Sequence, residues 1–376
     1  MKFKLFKSFD WLVFGIIACV VFLAGTGCVM VFSASYYSAG VHLNNEYYFL
    51  IKQIIGVVLG LIALVALSLV NYRKLIKFKW WAVLASVVLL VLVFIPGIGV
   101  ENYGARRWIG SSSLTFQPSE IAKFVLVFFC SIHLSENYEK IKNFKTLLPM
   151  LAVGGAFCLL VILEPNMSIT ICMALILFIM LFLGGLSKKH FYFMAGAGAV
   201  AVPVLILLEP YRIKRIMAFL NPWASPQGEG FQLIQSLYAL GSGGLFGVGL
   251  FASRQKYLFL PFAESDFIFA IMGEEIGFFG CVAVLSVFAM LIILLIKIAR
   301  SVSDRYGSLL VAGVASVIAV QTLLNVAVVT GSIPPTGLTL PFISAGSSSL
   351  IVFMGAIGLC LNVYKNRYQN TIFKKI

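Results

Sequence analysis

The sequence predicts an all-α polytopic membrane protein with ten transmembrane helices, and three observations predict that fold class. First, the chain of 376 residues is 61% hydrophobic and only 11% charged, which is more apolar side chain than a soluble protein of this length can bury. Second, ten apolar segments are long enough, or nearly so, to cross about 30 Å of hydrocarbon. Third, Lys and Arg are divided unequally between the two sides that these segments define.

The ten predicted spans are separated by short connections, except for one long connection, 209–264, between helices 7 and 8. The first apolar run continues for about 24 residues, beyond the roughly 7–15 residues of a signal-peptide core, and therefore indicates a spanning helix. The fifth and sixth runs are separated only by LEPNMS, which predicts a tight turn at Pro165. We place the spans at 11–34, 48–70, 78–98, 118–135, 147–163, 166–186, 190–208, 265–297, 307–330 and 340–363.

The basic residues decide the orientation. With the N-terminus inside, 19 of the 28 Lys and Arg residues lie in inner segments and seven lie in outer segments. The positive-inside rule therefore places both termini in the cytoplasm and the loops 99–117 and 209–264 on the extracytoplasmic side. The net charge of +14 is explained by this topology and requires no nucleic-acid partner. The inner segments carry no nucleotide-binding motif, so a reaction at the outer face must use an activated substrate or an ion gradient.

Four acidic residues accompany the eighth predicted span, although a charged side chain inside a membrane costs about 3 kcal/mol on insertion scales. Asp266 is predicted at the outer boundary, where it either caps the helix or acts as a general base. Glu274 and Glu275 lie deeper and are predicted to face different neighbours within the bundle. We count Glu274 and Glu275 among the candidate substrate-binding residues, because intramembrane acids are often functional.

Charged residues are also predicted near the outer face of two other spans. Glu120 and Lys123, in FQPSEIAKF, lie three residues apart on one helix face and can pair. Lys52 lies at a similar depth in the second span, where it either faces a cavity or extends to the lipid headgroups. Together with Asp266, these residues favour a polar cavity open to the outer leaflet over unrelated local pairs.

The outer connections add groups that could bind an anion. Arg106 and Arg107 stand beside Trp108, which suits either phosphate binding or anchoring at the membrane interface. Arg215 belongs to a basic cluster in the long outer loop. The proline-rich segment TGSIPPTGLTLPFISAGSSSL supplies the hydroxyls of Ser347 and Ser348, and such irregular backbone is tolerated at membrane depth only when buried or lining a cavity.

These stretches together resemble the SEDS family of bacterial cell-wall proteins, which includes FtsW, RodA and SpoVE. The resemblance covers nearly the whole chain and is closest to the FtsW and SpoVE branch. It rests on NYGARRWIG, FQPSEIAKF, KRIMAFLNPWASPQGEGFQLIQSLYALGSGGLFGVGL, SDFIFAIMGEEIG and TGLTLPFISAGSSSL. It implies a peptidoglycan glycosyltransferase that joins lipid II into glycan strands for cell division or sporulation. It also implies a multi-pass protein of the bacterial cytoplasmic membrane at the division septum.

The resemblance implies a class B penicillin-binding transpeptidase and other divisome proteins as partners. It places the key acid at Asp266, the motif pair at Glu120 and Lys123, and further basic groups at Lys52 and Arg215. The chain departs from the usual family motifs at Asn166, Phe262, Glu264 and Ala345.

Both arguments together predict that Asp266 takes a proton from the acceptor sugar. Lys52, Lys123, Arg215 and one of Arg106 and Arg107 would stabilise the leaving pyrophosphate. A divalent cation, Mg²⁺ or Mn²⁺, could share this role, but the scattered His and Cys residues form no metal-ligand pattern. The chain would form a single domain, 1–376, with loop 209–264 as a lid subregion whose glycine-rich part covers the site. The alternatives are a lipid II flippase and a non-catalytic division scaffold.

Overall fold

The structure is a computed structural model that describes residues 10–102, 105–110, 115–207 and 209–367. Twelve α-helices occur within these ranges. They are α1 (Trp11–Leu43), α2 (Tyr48–Leu69), α3 (Lys79–Leu92), α4 (Pro118–Glu136), α5 (Phe144–Leu163), α6 (Met167–Gly184), α7 (Lys188–Leu207), α8 (Pro210–Leu220), α9 (Phe231–Gly243), α10 (Ile268–Ser301), α11 (Arg305–Val329) and α12 (Ser347–Lys365). Short 3₁₀ helices occupy Tyr72–Phe78, Tyr138–Lys140 and Pro222–Ala224.

Nine helical segments in the described part of the chain are long and apolar enough to cross a membrane, which confirms the predicted polytopic class. They include α1 to α6 and α10 to α12, with α3 extended by the preceding 3₁₀ helix. The seventh predicted span coincides with α7, whose 20 residues match the length that a bilayer requires. A tenth span and the placement of the termini stay predictions.

The centre of the bundle is formed by α4, α6, α11 and α12, which are the most buried of the nine segments. These helices contact protein rather than lipid over much of their surface, so they can carry polar residues that a lipid-facing helix excludes. Glu120, Lys123, Gln321 and Asn325 are all buried on α4 and α11. The chemistry-bearing side chains are therefore concentrated where protein neighbours can satisfy them.

The eighth predicted span differs from the structure at its start and in its middle. The predicted span opened at residue 265, whereas α10 begins at Ile268 and is kinked at Gly277, which has φ 68° and ψ −173°. The glycine-rich segment 244–249 crosses this kink, and the N–H groups of Val248 and Gly249 donate to the carbonyls of Glu274 and Glu275. The glycines allow this close packing, because a Cβ at Gly247 would lie 2.2 Å from a backbone oxygen of α10.

The connection 99–117 contains a three-stranded antiparallel sheet, an element that the all-α prediction lacked. Its strands are β1 (Gly99–Asn102), β2 (Ala105–Gly110) and β3 (Thr115–Phe116), in the order β1-β2-β3. Glu101 of β1 is paired in register with Arg106 of β2. Because neighbouring side chains of a strand point to opposite faces, Arg106 and Arg107 face different surroundings.

Candidate active site

A cavity of about 2050 Å³ opens on the face of the bundle where α1 joins α2 and where α5 joins α6. Apolar side chains of α2, α4 and α6, among them Ile55, Ile121 and Ile171, form part of its wall. Other lining residues come from β2, α8, the start of α12 and the irregular segments 262–267 and 333–346. The charged residues that line it are Lys52, Arg107, Glu209, Arg212, Arg215, Glu264 and Asp266.

Asp266 lines this cavity just before α10. The residue at the N-cap of α10 is Phe267, and no side chain caps the helix there, so the helix-cap interpretation of Asp266 is wrong. Burial raises the pKa of Asp266 to about 6, while Arg107 and Arg215 act in the opposite direction and Glu264 adds to the increase. A carboxyl group with a pKa near 6 is mostly ionised at neutral pH and is well matched to accept a proton there.

Two guanidinium groups line the cavity and interact electrostatically with Asp266. Arg107 donates to the backbone carbonyls of Glu164 and Pro165, at 3.3 and 2.5 Å. Arg215 donates to the carbonyl of Pro335 at 3.2 Å. Neutral carbonyls orient these groups without cancelling their charge. Burial and the proximity of Arg215 lower the pKa of Arg107, which reflects two cations held close together.

Lys52, on α2, and Arg212 also line the cavity. The Nζ of Lys52 donates to the Tyr48 hydroxyl at 2.5 Å and lies 4.3 Å from the centre of the Tyr48 ring. Ser347 and Ser348 line the cavity beside it, and the Ser347 hydroxyl donates to the backbone carbonyl of Lys52 at 2.9 Å. The structure therefore brings Lys52, both serines, Arg107, Arg215 and Asp266 to one cavity.

Glu120 and Lys123 form the predicted ion pair, with 2.8 Å between Nζ and Oε1, but they lie behind the cavity wall. Their side chains are 3% and 0% exposed, and neither lines the cavity. Ser349 donates to Glu120 at 3.0 Å, and Lys123 donates to Gln321 at 2.5 Å. The pair therefore reaches the cavity only through its neighbours, a placement that differs from the expected direct contact with substrate.

Glu274 and Glu275 lie in a separate buried cluster rather than at the cavity. Glu274 accepts hydrogen bonds from the Ser253 hydroxyl and the Arg254 N–H. Glu275 accepts from the Ser33 hydroxyl at 2.6 Å and pairs with Lys256 at 3.1 Å. Both acids hold the segment 253–256, which follows the glycine-rich crossing.

Arg106 also lies away from the cavity, where its guanidinium pairs with the exposed Glu101 at 3.1 Å. None of the glycines in the segment 241–249 lines the cavity. This differs from the prediction that the glycine-rich segment covers the site. Other residues of the predicted lid, including Tyr211, Arg215 and Gln232, do line it.

Sequence reasoning missed Glu164, which follows α5 and precedes Pro165. Its side chain is 1% exposed, and neither carboxyl oxygen has a hydrogen-bond partner. Burial raises the pKa of Glu164 to about 8, against the effect of the nearby Arg107. An acidic residue inside the apolar LEPNMS turn was the available signal. Asn325 and Gln321, two buried amides one turn apart on α11, were missed as well.

The donor set for a divalent cation is incomplete. In the ranges that the structure describes, no group of three or more His, Cys, Asp and Glu side chains could hold a metal ion. The carboxylates near Arg107 and Arg215 include Asp266, Glu264 and Glu164, and they do not form such a set. The chemistry derived below therefore uses the side chains of the chain itself.

Comparison with known proteins gives consistent matches along the chain. The family model described as "Cell cycle protein" (FtsW, RodA, SpoVE) matches residues 14–369. Stage V sporulation protein E of Bacillus subtilis is 40% identical over 358 residues, covering 94% of this chain and 96% of that protein. A protein of Geobacter sulfurreducens named probable peptidoglycan glycosyltransferase FtsW is 38% identical over 352 residues, covering 93% of this chain and 94% of that protein.

Two solved structures share the fold. A chain from a structure titled "Structural coordination of polymerization and crosslinking by a peptidoglycan synthase complex" has a TM-score of 0.77 and 29% identity, covering 97% of this chain and 100% of that one. The rod shape determining protein RodA of Thermus thermophilus has a TM-score of 0.69 and 27% identity, covering 97% of this chain and 99% of that one. This chain therefore belongs to the SEDS family of FtsW, RodA and SpoVE, on its FtsW and SpoVE branch.

Proposed function

We propose that this chain is a peptidoglycan glycosyltransferase that polymerises lipid II on the outer face of the bacterial cytoplasmic membrane. One observation carries the proposal. A single cavity combines apolar walls with four cations and three carboxylates, contributed by Lys52, Arg107, Arg212, Arg215, Glu209, Glu264 and Asp266. A substrate with a lipid chain, a pyrophosphate and a sugar needs these three kinds of surface next to one another. The names of the FtsW relatives support the same activity.

The proposed reaction forms one glycosidic bond and breaks one bond from sugar to phosphate. The acceptor sugar hydroxyl attacks the anomeric carbon of the donor, and its proton passes to the carboxylate of Asp266. The electron pair of the broken bond stays on the leaving lipid pyrophosphate. The new negative charge is stabilised by Arg107, Arg215 and Lys52. No nucleotide is needed, because the pyrophosphate bond already activates the donor.

Glu120 and Lys123 take an indirect part in this proposal. The ion pair holds Gln321 and Ser349, which are attached to two pieces of the cavity wall. Gln321 donates to the carbonyl and hydroxyl of Thr339, at 3.0 and 3.2 Å. Ser349 lines the cavity itself. A buried charge pair that is hydrogen-bonded to both neighbours suits this orienting role, because it fixes the geometry of its partners.

The surroundings of the enzyme belong to the same proposal. We place ten spans in the membrane, with α7 as the seventh, both termini in the cytoplasm and loop 209–264 outside as the lid subregion. Residues of this loop, among them Arg215 and Glu264, support the lid because they line the cavity. A class B penicillin-binding transpeptidase is the proposed partner, with other divisome proteins, at the septum during division or sporulation. The similar chain from the peptidoglycan synthase complex, whose structure concerns polymerization and crosslinking, supports such a partner.

A lipid II flippase is the main alternative, and the structure gives it less support. A flippase needs polar groups along the full depth of the membrane. The charged residues of this cavity come from one face of the bundle. The deeper acids Glu274 and Glu275 are occupied by Ser253, Lys256 and backbone N–H groups, which fill the space that a polar substrate would need.

The experiment that tests the proposal uses the purified full chain with its cognate transpeptidase in lipid vesicles. Labelled lipid II is supplied, and both glycan strand length and movement of the label between leaflets are measured. A polymerase lengthens strands without moving unreacted lipid II across the bilayer. Movement of lipid II without strand growth would support the flippase, and neither activity in a correctly assembled complex would support the scaffold.

A further inference from the structure

The segment that carries Asp266 has no regular secondary structure of its own. Residues 261–267 form successive turns before α10 begins, and Phe262 has a φ of 55°, in the left-handed region. A regular helix or strand would hold its backbone through its own hydrogen bonds. This segment needs outside partners instead, and the direction of the Asp266 side chain depends on them.

Three consecutive carbonyls of this segment accept hydrogen bonds from other parts of the chain. The carbonyl of Glu264 accepts from the N–H of Ala345 at 2.9 Å. The carbonyl of Ser265 accepts from the hydroxyl of Ser344 at 2.6 Å. The carbonyl of Asp266 accepts from the side-chain amide of Asn325 at 2.9 Å. The backbone on both sides of the Asp266 Cα is thereby tied to α11 and to the segment 337–346.

Asn325 and Ser344 each hold two pieces of backbone at once. The Asn325 amide also donates to the carbonyl of Leu338 at 2.6 Å. The Ser344 hydroxyl accepts from the N–H of Leu340 at 2.7 Å while donating to Ser265. The two side chains therefore join the Asp266 segment to the strip 338–340, which follows Gly337 in the cavity wall.

Neither side chain can act by touching substrate. Asn325 is 1% exposed and Ser344 is 5% exposed, and neither lines the cavity. Gly337, which directly precedes this strip, lies close to the reacting carboxylate, since a Cβ at Gly337 would lie 3.1 Å from Asp266 Oδ2. Asn325 and Ser344 therefore hold the Asp266 carboxylate in place against the segment 337–340, although both lie behind the cavity surface.

We infer that Asn325 and Ser344 are positioning residues that aim the carboxylate of Asp266 at the acceptor hydroxyl. The inference rests on the proposed function, in which Asp266 is the base. A base must come within about 3 Å of the proton that it removes. A displacement of about 1 Å can lower a rate by roughly 100-fold, even when substrate binding is intact. The expected defect is therefore in turnover rather than in affinity.

The test compares Asn325→Ala, Ser344→Ala and Thr322→Val in the full chain with its cognate transpeptidase. Thr322 is the matched control, because it is buried on α11 one turn before Asn325 and its hydroxyl has no hydrogen-bond partner. For each variant, kcat and KM for lipid II polymerisation are measured together with the melting temperature. We expect Asn325→Ala and Ser344→Ala to lower kcat roughly tenfold or more, with KM within about threefold of the native value. Thr322→Val should match the native chain.

Two results would overturn the inference. One is native kcat in both Asn325→Ala and Ser344→Ala. The other is a rise in KM with unchanged kcat, which would assign these residues to substrate binding. If Asn325→Ala fails to fold, Ser344→Ala decides alone, since it removes a smaller group. Failure of the proposed function is separately visible, because the native chain would then make no strands or Asp266→Asn would retain full turnover.

Discussion

The replacement Lys123→Met tests whether the Glu120–Lys123 pair lies behind the cavity wall. In the native chain, Lys123 is fully buried and donates to both Glu120 and Gln321. Methionine preserves most of the volume of the side chain but leaves a buried carboxylate without its cation. Ser349 is then the remaining hydrogen-bond donor to Glu120.

The expected loss of folding stability in Lys123→Met follows from the burial of the Glu120–Lys123 pair. Removing one partner of a buried ion pair costs about 3–5 kcal/mol, because the other charge is left uncompensated. An exposed pair of the same kind contributes only about 0–1 kcal/mol. Lys79 and Glu136 form such a pair, with side chains that are 20% and 44% exposed. Lys79→Met is therefore a matched control for the loss of a lysine from a pair with glutamate.

The assay is thermal unfolding of the purified variants in one detergent, followed by intrinsic fluorescence. We expect Lys123→Met to melt several degrees below the native chain and Lys79→Met to melt within about a degree of it. Adding Glu120→Gln to Lys123→Met should restore part of the loss, because the unpaired charge is then removed. Native melting of Lys123→Met combined with lost binding of lipid II would refute the placement, since it would mean that the lysine faces the substrate.

Two further predictions concern Arg107 and the neighbouring Glu164. Burial raises the pKa of folded Glu164 to about 8, above its ordinary value, so the native chain should lose stability relative to Glu164→Gln as pH rises from about 4.5 to about 8. Melting temperatures across this range check it, and a constant difference between the two proteins would contradict it. Arg107→Lys should weaken lipid II binding roughly tenfold through lost guanidinium hydrogen bonds, whereas Arg106→Lys should bind within about twofold of native. Equal losses of lipid II affinity in Arg107→Lys and Arg106→Lys, measured in a direct binding assay, would contradict the assignment of Arg107 alone to the substrate.

Long apolar runs in the sequence predicted the membrane spans, and local helical spacing predicted one side-chain contact. Uninterrupted apolar runs identify helices because a lipid-facing segment has few alternatives. The Glu120–Lys123 pair followed from helical spacing alone, since residues three apart share a face. The predicted polar cavity contained Lys52, Glu120, Lys123 and Asp266. The structure brings Lys52 and Asp266 to one cavity together with Arg107 and Arg215, whereas Glu120 and Lys123 lie behind its wall.

The errors came from places where the local backbone departs from a continuous helix or loop. The buried partners of Glu274 and Glu275 come from the irregular segment 253–256 and from α1, which apolar periodicity does not reveal. The division of roles between Arg106 and Arg107 depends on the pleat of β2, a short strand within a connection. Asn325 looked like an ordinary polar residue of α11, because its partners lie far away in sequence.

The most direct test of the central claim is strand synthesis by Asp266→Asn, with lipid II binding measured in the same preparation. Asparagine keeps the size of the side chain but cannot accept the proton from the acceptor hydroxyl. We expect Asp266→Asn to fold, to assemble with the transpeptidase and to bind lipid II within about threefold of the native chain, while strand synthesis falls by at least about 100-fold. Strands made at the native rate by Asp266→Asn would contradict the assignment of Asp266 as the base.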